Sequence, residues 1–83
     1  MLQFKDPKKE LPKFHELVLV KYSTIDGVFY EMCYLETSTP ISRDGWIKKP
    51  CFYCWFGEAR EHYNIEEIDG WIYTKDLEEI PIK

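Results

Sequence analysis

Leu17-Val-Leu-Val-Lys-Tyr-Ser-Thr-Ile-Asp-Gly-Val-Phe-Tyr-Glu-Met-Cys-Tyr-Leu35 is the stretch on which the fold turns. Two apolar runs, rich in β-branched and aromatic residues, flank the pair Asp26-Gly27. Asp-Gly accepts positive φ at both centres of a type I′ turn, so the segment reads as a β-hairpin. A two-residue turn there sets Ile25 opposite Val28, Tyr22 opposite Glu31, Val20 opposite Cys33 and Val18 opposite Leu35. One face then carries Val18, Val20, Tyr22, Thr24, Phe29, Glu31, Cys33 and Leu35. The other carries Leu17, Leu19, Lys21, Ser23, Ile25, Val28, Tyr30, Met32, Tyr34 and Glu36. Both faces are mostly apolar, whereas a sheet with one wet face alternates more cleanly. Such a hairpin must be curled, sandwiched or covered by a partner.

The chain on either side supplies little that competes with a β reading. Residues 5–16 hold Pro7 and Pro12 without an apolar period and read as an entry loop, with Leu11 and Phe14 expected to pin it to the core. Residues 36–45 are a loop by composition. Trp46-Ile47 and Cys51-Phe-Tyr-Cys-Trp-Phe56 read as strand, separated by Lys48-Lys49-Pro50, because proline cannot donate to a ladder. Residues 57–68 are polar and acidic and read as a long loop, or as one short helix around 58–63. Trp71-Ile-Tyr73 reads as a last strand, followed by one helical turn from Thr74, ended before Pro81. The phrase Asp-Gly-Trp-Ile occurs at 44–47 and again at 69–72, and reads as two equivalent strand entries with Trp46 and Trp71 in the core. Gly27, Gly45, Gly57 and Gly70 read as turn punctuation. The fold class expected is a mostly β single domain over 1–83. It has four to five antiparallel strands, as a strongly bent sheet or small SH3-like barrel with at most one short helix.

Composition narrows the function classes. Fourteen of the 83 residues are aromatic. Each ring buries about 150–250 Å², which is how a small domain builds a core. The net charge is −4, and it is uneven. Residues 57–83 hold eight acids against three bases, whereas 1–56 hold seven acids against eight bases. An acidic surface repels phosphate, so no nucleic-acid partner is expected. No apolar run reaches membrane length and the first residues lack a signal-peptide pattern, so no membrane association and a cytoplasmic setting are expected. Three cysteines, an odd number, fit free thiols.

The order of landmarks resembles a family of short phage- and prophage-encoded bacterial proteins, the domain of unknown function 551. The residues that carry the resemblance are Phe4, Leu11-Pro12, Val18-Leu19-Val20, Gly27, Gly45-Trp46, Trp71 and Ile80-Pro81. Phe4 stands where that family usually has Trp. The resemblance implies a phage-related setting and assigns no activity.

Few residues could carry chemistry. Cys51 and Cys54 form a single C-x-x-C, and His62 lies eight residues beyond. Zinc needs four ligands, and a strand sends Cys51 and Cys54 to opposite faces, so the three are only weak metal candidates. A small zinc- or thiol-dependent protein using Cys51/Cys54 is the alternative function. His62 lies among carboxylates, a weak case for general base chemistry. No nucleophile elbow, P-loop or dinucleotide fingerprint occurs, so no catalytic residue, no cofactor and no small-molecule substrate is expected. The leading expectation is a non-enzymatic binding module acting through protein–protein contact, most simply a homodimer. Tyr53 and Trp55 are the expected contact residues, because Tyr and Trp suit half-wet interfaces.

Overall fold

The computed structural model describes residues 3–41, 45–55 and 60–77. Among these residues there are seven strands: β1 (Leu17–Thr24), β2 (Gly27–Glu36), β3 (Thr39–Pro40), β4 (Trp46–Ile47), β5 (Cys51–Cys54), β6 (His62–Asn64) and β7 (Gly70–Tyr73). A 3-10 turn (Ile65–Glu67) precedes β7, and a single helical turn, α1 (Thr74–Leu77), comes after it. Five strands form one antiparallel sheet in the order β6-β5-β2-β1-β7, and β3-β4 form a separate two-stranded ribbon. The domain is therefore mostly β, as the sequence indicates.

The hairpin forms, but its turn sits one residue earlier than expected. Thr24 pairs with Gly27, Tyr22 with Phe29, Val20 with Glu31 and Val18 with Cys33. Ile25 and Asp26 occupy the turn at negative φ, and Gly27 alone takes positive φ, at 134°. A type I′ turn on Asp26-Gly27 would need positive φ at Asp26 as well. Instead the Asp26 N–H donates to Thr24 Oγ1 at 3.1 Å, a side-chain turn that fixes Ile25-Asp26 as the centre. Every cross-strand partner moves by two residues, so both sets of facing residues are unchanged.

One face of the sheet holds the core: Val18, Val20, Cys33, Leu35, Phe52, Cys54, Tyr63 and Trp71, with Ile68. The sheet does not close into a barrel. β6 and β7 are consecutive in sequence yet lie at opposite edges, so residues 65–69 must cross the core face to join them. That crossing packs Ile68 and the partly buried Ile65 against the core. The Asp69 N–H ends it on the Lys21 carbonyl at 2.8 Å. The expected alternative of an SH3-like barrel is thus replaced by an open sheet with a lid.

The entry loop completes the cover. Lys5 bridges Trp71 through two backbone bonds and occupies part of the β7 edge. The Trp71 indole N–H donates to the Glu10 carbonyl at 3.0 Å, and the Lys13 N–H donates to the Tyr73 hydroxyl at 2.9 Å. The loop is anchored by buried Pro7 and Pro12, not by Leu11 and Phe14, both of which are exposed. Rigid proline rings fill the space at little entropic cost, since Pro loses no side-chain freedom.

Other expectations need correction. Residues 36–45 are not all loop, since Thr39 and Pro40 pair with Ile47 and Trp46. The strand after Pro50 starts at Cys51 as expected; Phe56 lies outside the described residues. The short helix around 58–63 does not occur over the described part, where His62–Asn64 is strand β6; residues 58–59 lie outside it. Gly70 is not a turn residue but lies within β7, where a Cβ would stand 2.8 Å from the Cβ of Phe4. Trp46 is exposed, not core. The turn at Thr74 forms, with its hydroxyl donating to the Leu17 carbonyl at 3.3 Å; the Pro81 stop lies outside the described residues. Among the described residues no helix is long and apolar enough to cross a membrane.

Candidate binding surface

Among the described residues, the second face of the five-stranded sheet has no lid of comparable extent. Strand alternation and the observed pairing place Leu17, Leu19, Met32, Tyr34, Tyr53 and Ile72 on it. Its ends are covered in two places. Near the hairpin, Phe4 lies over Gly70 and its ring meets Tyr30, with centroids 5.9 Å apart. At the other end Cys51 is fully buried, its Sγ 3.5 Å from the Ser38 carbonyl oxygen. Between them lies a band of rings.

The band runs across strands. Trp46 stacks on Tyr53 with centroids 6.5 Å apart and planes 13° from parallel. Tyr53 meets Tyr34, its direct cross-strand partner, at 5.8 Å. Trp55 stands edge-on to Tyr34 at 6.4 Å, and His15 lies 6.2 Å from Tyr34. Trp46 and Trp55 are 55% and 59% exposed, so the ends of the band are wet and its middle is half-buried. Offset and edge-on ring pairs of this kind attract one another beyond their area burial.

Polar groups hold the rings in place. The Tyr53 hydroxyl donates to Glu61 Oε1 at 2.7 Å, and this bond, with partial burial, pushes the phenol up to about 12. Partial burial, and then the Glu36 carboxylate, raise Tyr34 as well. His15 Nε2 lies 2.6 Å from Glu36 Oε1. His15 itself takes φ of 67°, an uncommon conformation for a non-glycine residue. It is held there by its N–H on the Leu35 carbonyl at 3.0 Å and by the bridge between Phe14 and Leu35. Trp55 is positioned by its N–H on the Met32 carbonyl at 2.8 Å.

The weak metal candidates do not converge. Cys54 belongs to the core face beside Cys33, whereas Cys51 lies on the opposite face. His62 pairs with Tyr53 across β5–β6, and its Nδ1 is buried without a hydrogen-bond partner among the described residues. No group of three or more His, Cys, Asp or Glu among the described residues is arranged to hold a metal ion. A cleft on the core side is lined by Tyr22, Tyr63, Arg60 and Glu67, and its guanidinium is already paired. Arg60 is engaged by both oxygens of Glu67, at 2.9 and 3.0 Å, and lies 4.3 Å from the centre of the Tyr63 ring.

Tyr53 and Trp55 are thus brought together on one exposed surface, with Tyr34 between them and the core-side strands behind. Trp46, His15 and Phe14 join the same surface, although the sequence does not single them out for it. For Trp46 the signal is the Lys48-Lys49-Pro50 that cuts its strand short; for His15 and Phe14 there is none. Comparison with family models, with curated proteins and with solved structures gives no match to this chain.

Proposed function

We propose that the chain is a non-enzymatic binding module that works through protein–protein contact, with Tyr53 and Trp55 as contact residues. A phage or mobile-element setting, which the resemblance implies, accords with so small a module. The observation that carries the reading is the half-exposed band Trp46–Tyr53–Tyr34–Trp55 on the sheet face opposite the core. Contiguous exposed apolar surface of this kind marks interaction sites, and Trp and Tyr dominate contact energetics.

The simplest occupant is a second copy of the chain, related by a two-fold axis that lies between the two sheets, parallel to them and across their strands. Lys21 and Glu36 lie on this same face, Lys21 opposite Tyr30 on β2 and Glu36 six residues further along that strand. That separation is about 20 Å at 3.4 Å per residue. A two-fold axis between them exchanges the two ends, so each protomer sets its Lys21 towards the other's Glu36. Two sheets packed this way lie about 10 Å apart, with rings interdigitating.

Analytical ultracentrifugation at micromolar concentration tests the reading. Expected is reversible self-association that Trp55→Ser abolishes while the thermal unfolding midpoint is nearly unchanged. A chain that stays monomeric, with a Trp55→Ser variant that is only less stable, would remove the second copy as partner and return Trp55 to a structural role.

A further inference from the structure

We propose that Cys33 and Cys54 are a dithiol site that closes reversibly to a cross-strand disulfide by exchange with a disulfide-class oxidant. The two residues are direct partners in the β2–β5 ladder, both are buried, and their sulfurs are 3.9 Å apart. The Cys54 N–H donates away from β2, to the Glu61 carbonyl at 2.9 Å, while the next ladder bond to β2 comes from Trp55 to Met32. Cys33 and Cys54 are therefore a non-hydrogen-bonded pair, the closer of the two antiparallel pairings, with Cα atoms about 4.5 Å apart. Disulfides span Cα separations of roughly 4.4–6.8 Å, so closure needs no strand to separate or slide. Cys51 is excluded, because it lies on the opposite face of the sheet beside Ser38.

Closure proceeds in two steps. The Cys54 thiol loses its proton, and its sulfur attacks one sulfur of the oxidant, breaking the oxidant's S–S bond and releasing one thiol. Cys33, likewise deprotonated, then attacks the Cys54 sulfur of the mixed disulfide and releases the second thiol. Two electrons pass from the protein to the oxidant, and the two protons leave with the released thiols. Cys54 is the entry sulfur because it ends β5, next to exposed Trp55, whereas Cys33 is in mid-strand. Burial pushes both thiols up, foremost for Cys33, so exchange is slow and must be followed to equilibrium. The sulfurs must approach to about 2 Å, which rotation of the two side chains supplies, because the Cα separation already lies within the disulfide range.

The site stands on the thiol geometry alone and does not depend on what binds the band. The test uses the Cys51→Ser chain, in which Cys33 and Cys54 are the remaining thiols. It is equilibrated folded in glutathione buffers of rising oxidised fraction, quenched with acid, alkylated and weighed. Expected is one two-electron transition to an unalkylated species lighter by two hydrogens, fully reversed by dithiothreitol, and a higher thermal midpoint for the oxidised form. Wild type should give the same link, located by fragmentation of the joined peptides, with Cys51 alkylated; this arm carries the test if Cys51→Ser does not fold. Thiols that stay alkylatable in every folded sample, while the urea-unfolded chain oxidises, would overturn the proposal. So would a link that includes Cys51.

Discussion

Trp71 and Trp46 come after the same Asp-Gly and precede the same isoleucine, and they meet opposite fates. Trp71 is 1% exposed, pairs with Val20 inside the five-stranded sheet, and donates its indole N–H to Glu10. Trp46 is 55% exposed, pairs with Pro40 in a two-residue ribbon, and stacks on Tyr53. Four identical residues therefore decide that a strand begins, but not which sheet it joins. The residues immediately C-terminal to each phrase make that choice. Tyr73 prolongs the strand of Trp71 against β1, whereas Lys48-Lys49-Pro50 stops the strand of Trp46. One tryptophan becomes a pillar of the core and the other a surface plate.

The sharpest way to break this contrast is to remove the buried ring. Trp71→Ala should cost about 3–5 kcal/mol, the range for large-to-small core changes, and more of the entry loop should become protease-sensitive because its anchor on Glu10 is lost. Chemical denaturation measures the loss. A cost near that of an exposed residue would mean that the two phrases are equivalent after all.

Gly70 sharpens it next. At 2.8 Å from the Phe4 Cβ, an added methyl must displace backbone-proximal atoms, not a flexible tip. Gly70→Ala should cost about 1–3 kcal/mol, as overpacking does. Phe4→Gly, which removes the Cβ that alanine would keep, should relieve part of it in the same chain, a coupling that a double-mutant cycle reads directly.

The hairpin supplies a milder test. Gly27 has open space around its missing side chain and only its positive φ to protect. Gly27→Ala should therefore cost about 1–2 kcal/mol, from backbone conformation alone. Asp26→Ala, at negative φ and keeping the N–H that Thr24 accepts, should change the unfolding midpoint far less. Equal costs would put the positive φ back on Asp26 and restore the two-residue turn expected from the sequence.

That hairpin shows where sequence reading succeeds and where it stops. The faces of β1 and β2 were legible because alternation survives a two-residue change of partner. The partners themselves were not, because Ile25-Asp26 and Asp26-Gly27 both make plausible turns and a threonine hydroxyl chooses between them. The split of Cys51 from Cys54 was legible from the same alternation, and so was the outward path of Tyr53 and Trp55. The choice of an open sheet over a barrel was not legible, since it depends on residues 65–69 crossing the core face rather than on any local pattern. Nor was the recruitment of His15 to the band, which needs a positive φ at a residue with no turn signature.

The smallest effect on stability belongs to the surface plate. Trp46 has a single described ring neighbour, Tyr53, in a ribbon of two residue pairs. Tyr53 keeps its own hydroxyl bond to Glu61 when Trp46 is gone. An exposed ring pair of this kind is worth about 0.5–1.5 kcal/mol, so Trp46→Ala should cost an amount in that range. The Tyr53 phenol should still titrate above its ordinary value, because the Glu61 carboxylate, not Trp46, is the first cause of its rise. With the folded phenol raised, the associated stability is intact below the unfolded tyrosine range and is lost as pH climbs towards about 12. An ultraviolet titration of Trp46→Ala that matches wild type, combined with near-wild-type unfolding, confirms a ring whose contribution lies at the surface. A loss approaching that of Trp71→Ala would instead show that the β3–β4 ribbon is part of the cooperative core, and the two Asp-Gly-Trp-Ile segments would differ in exposure but not in weight.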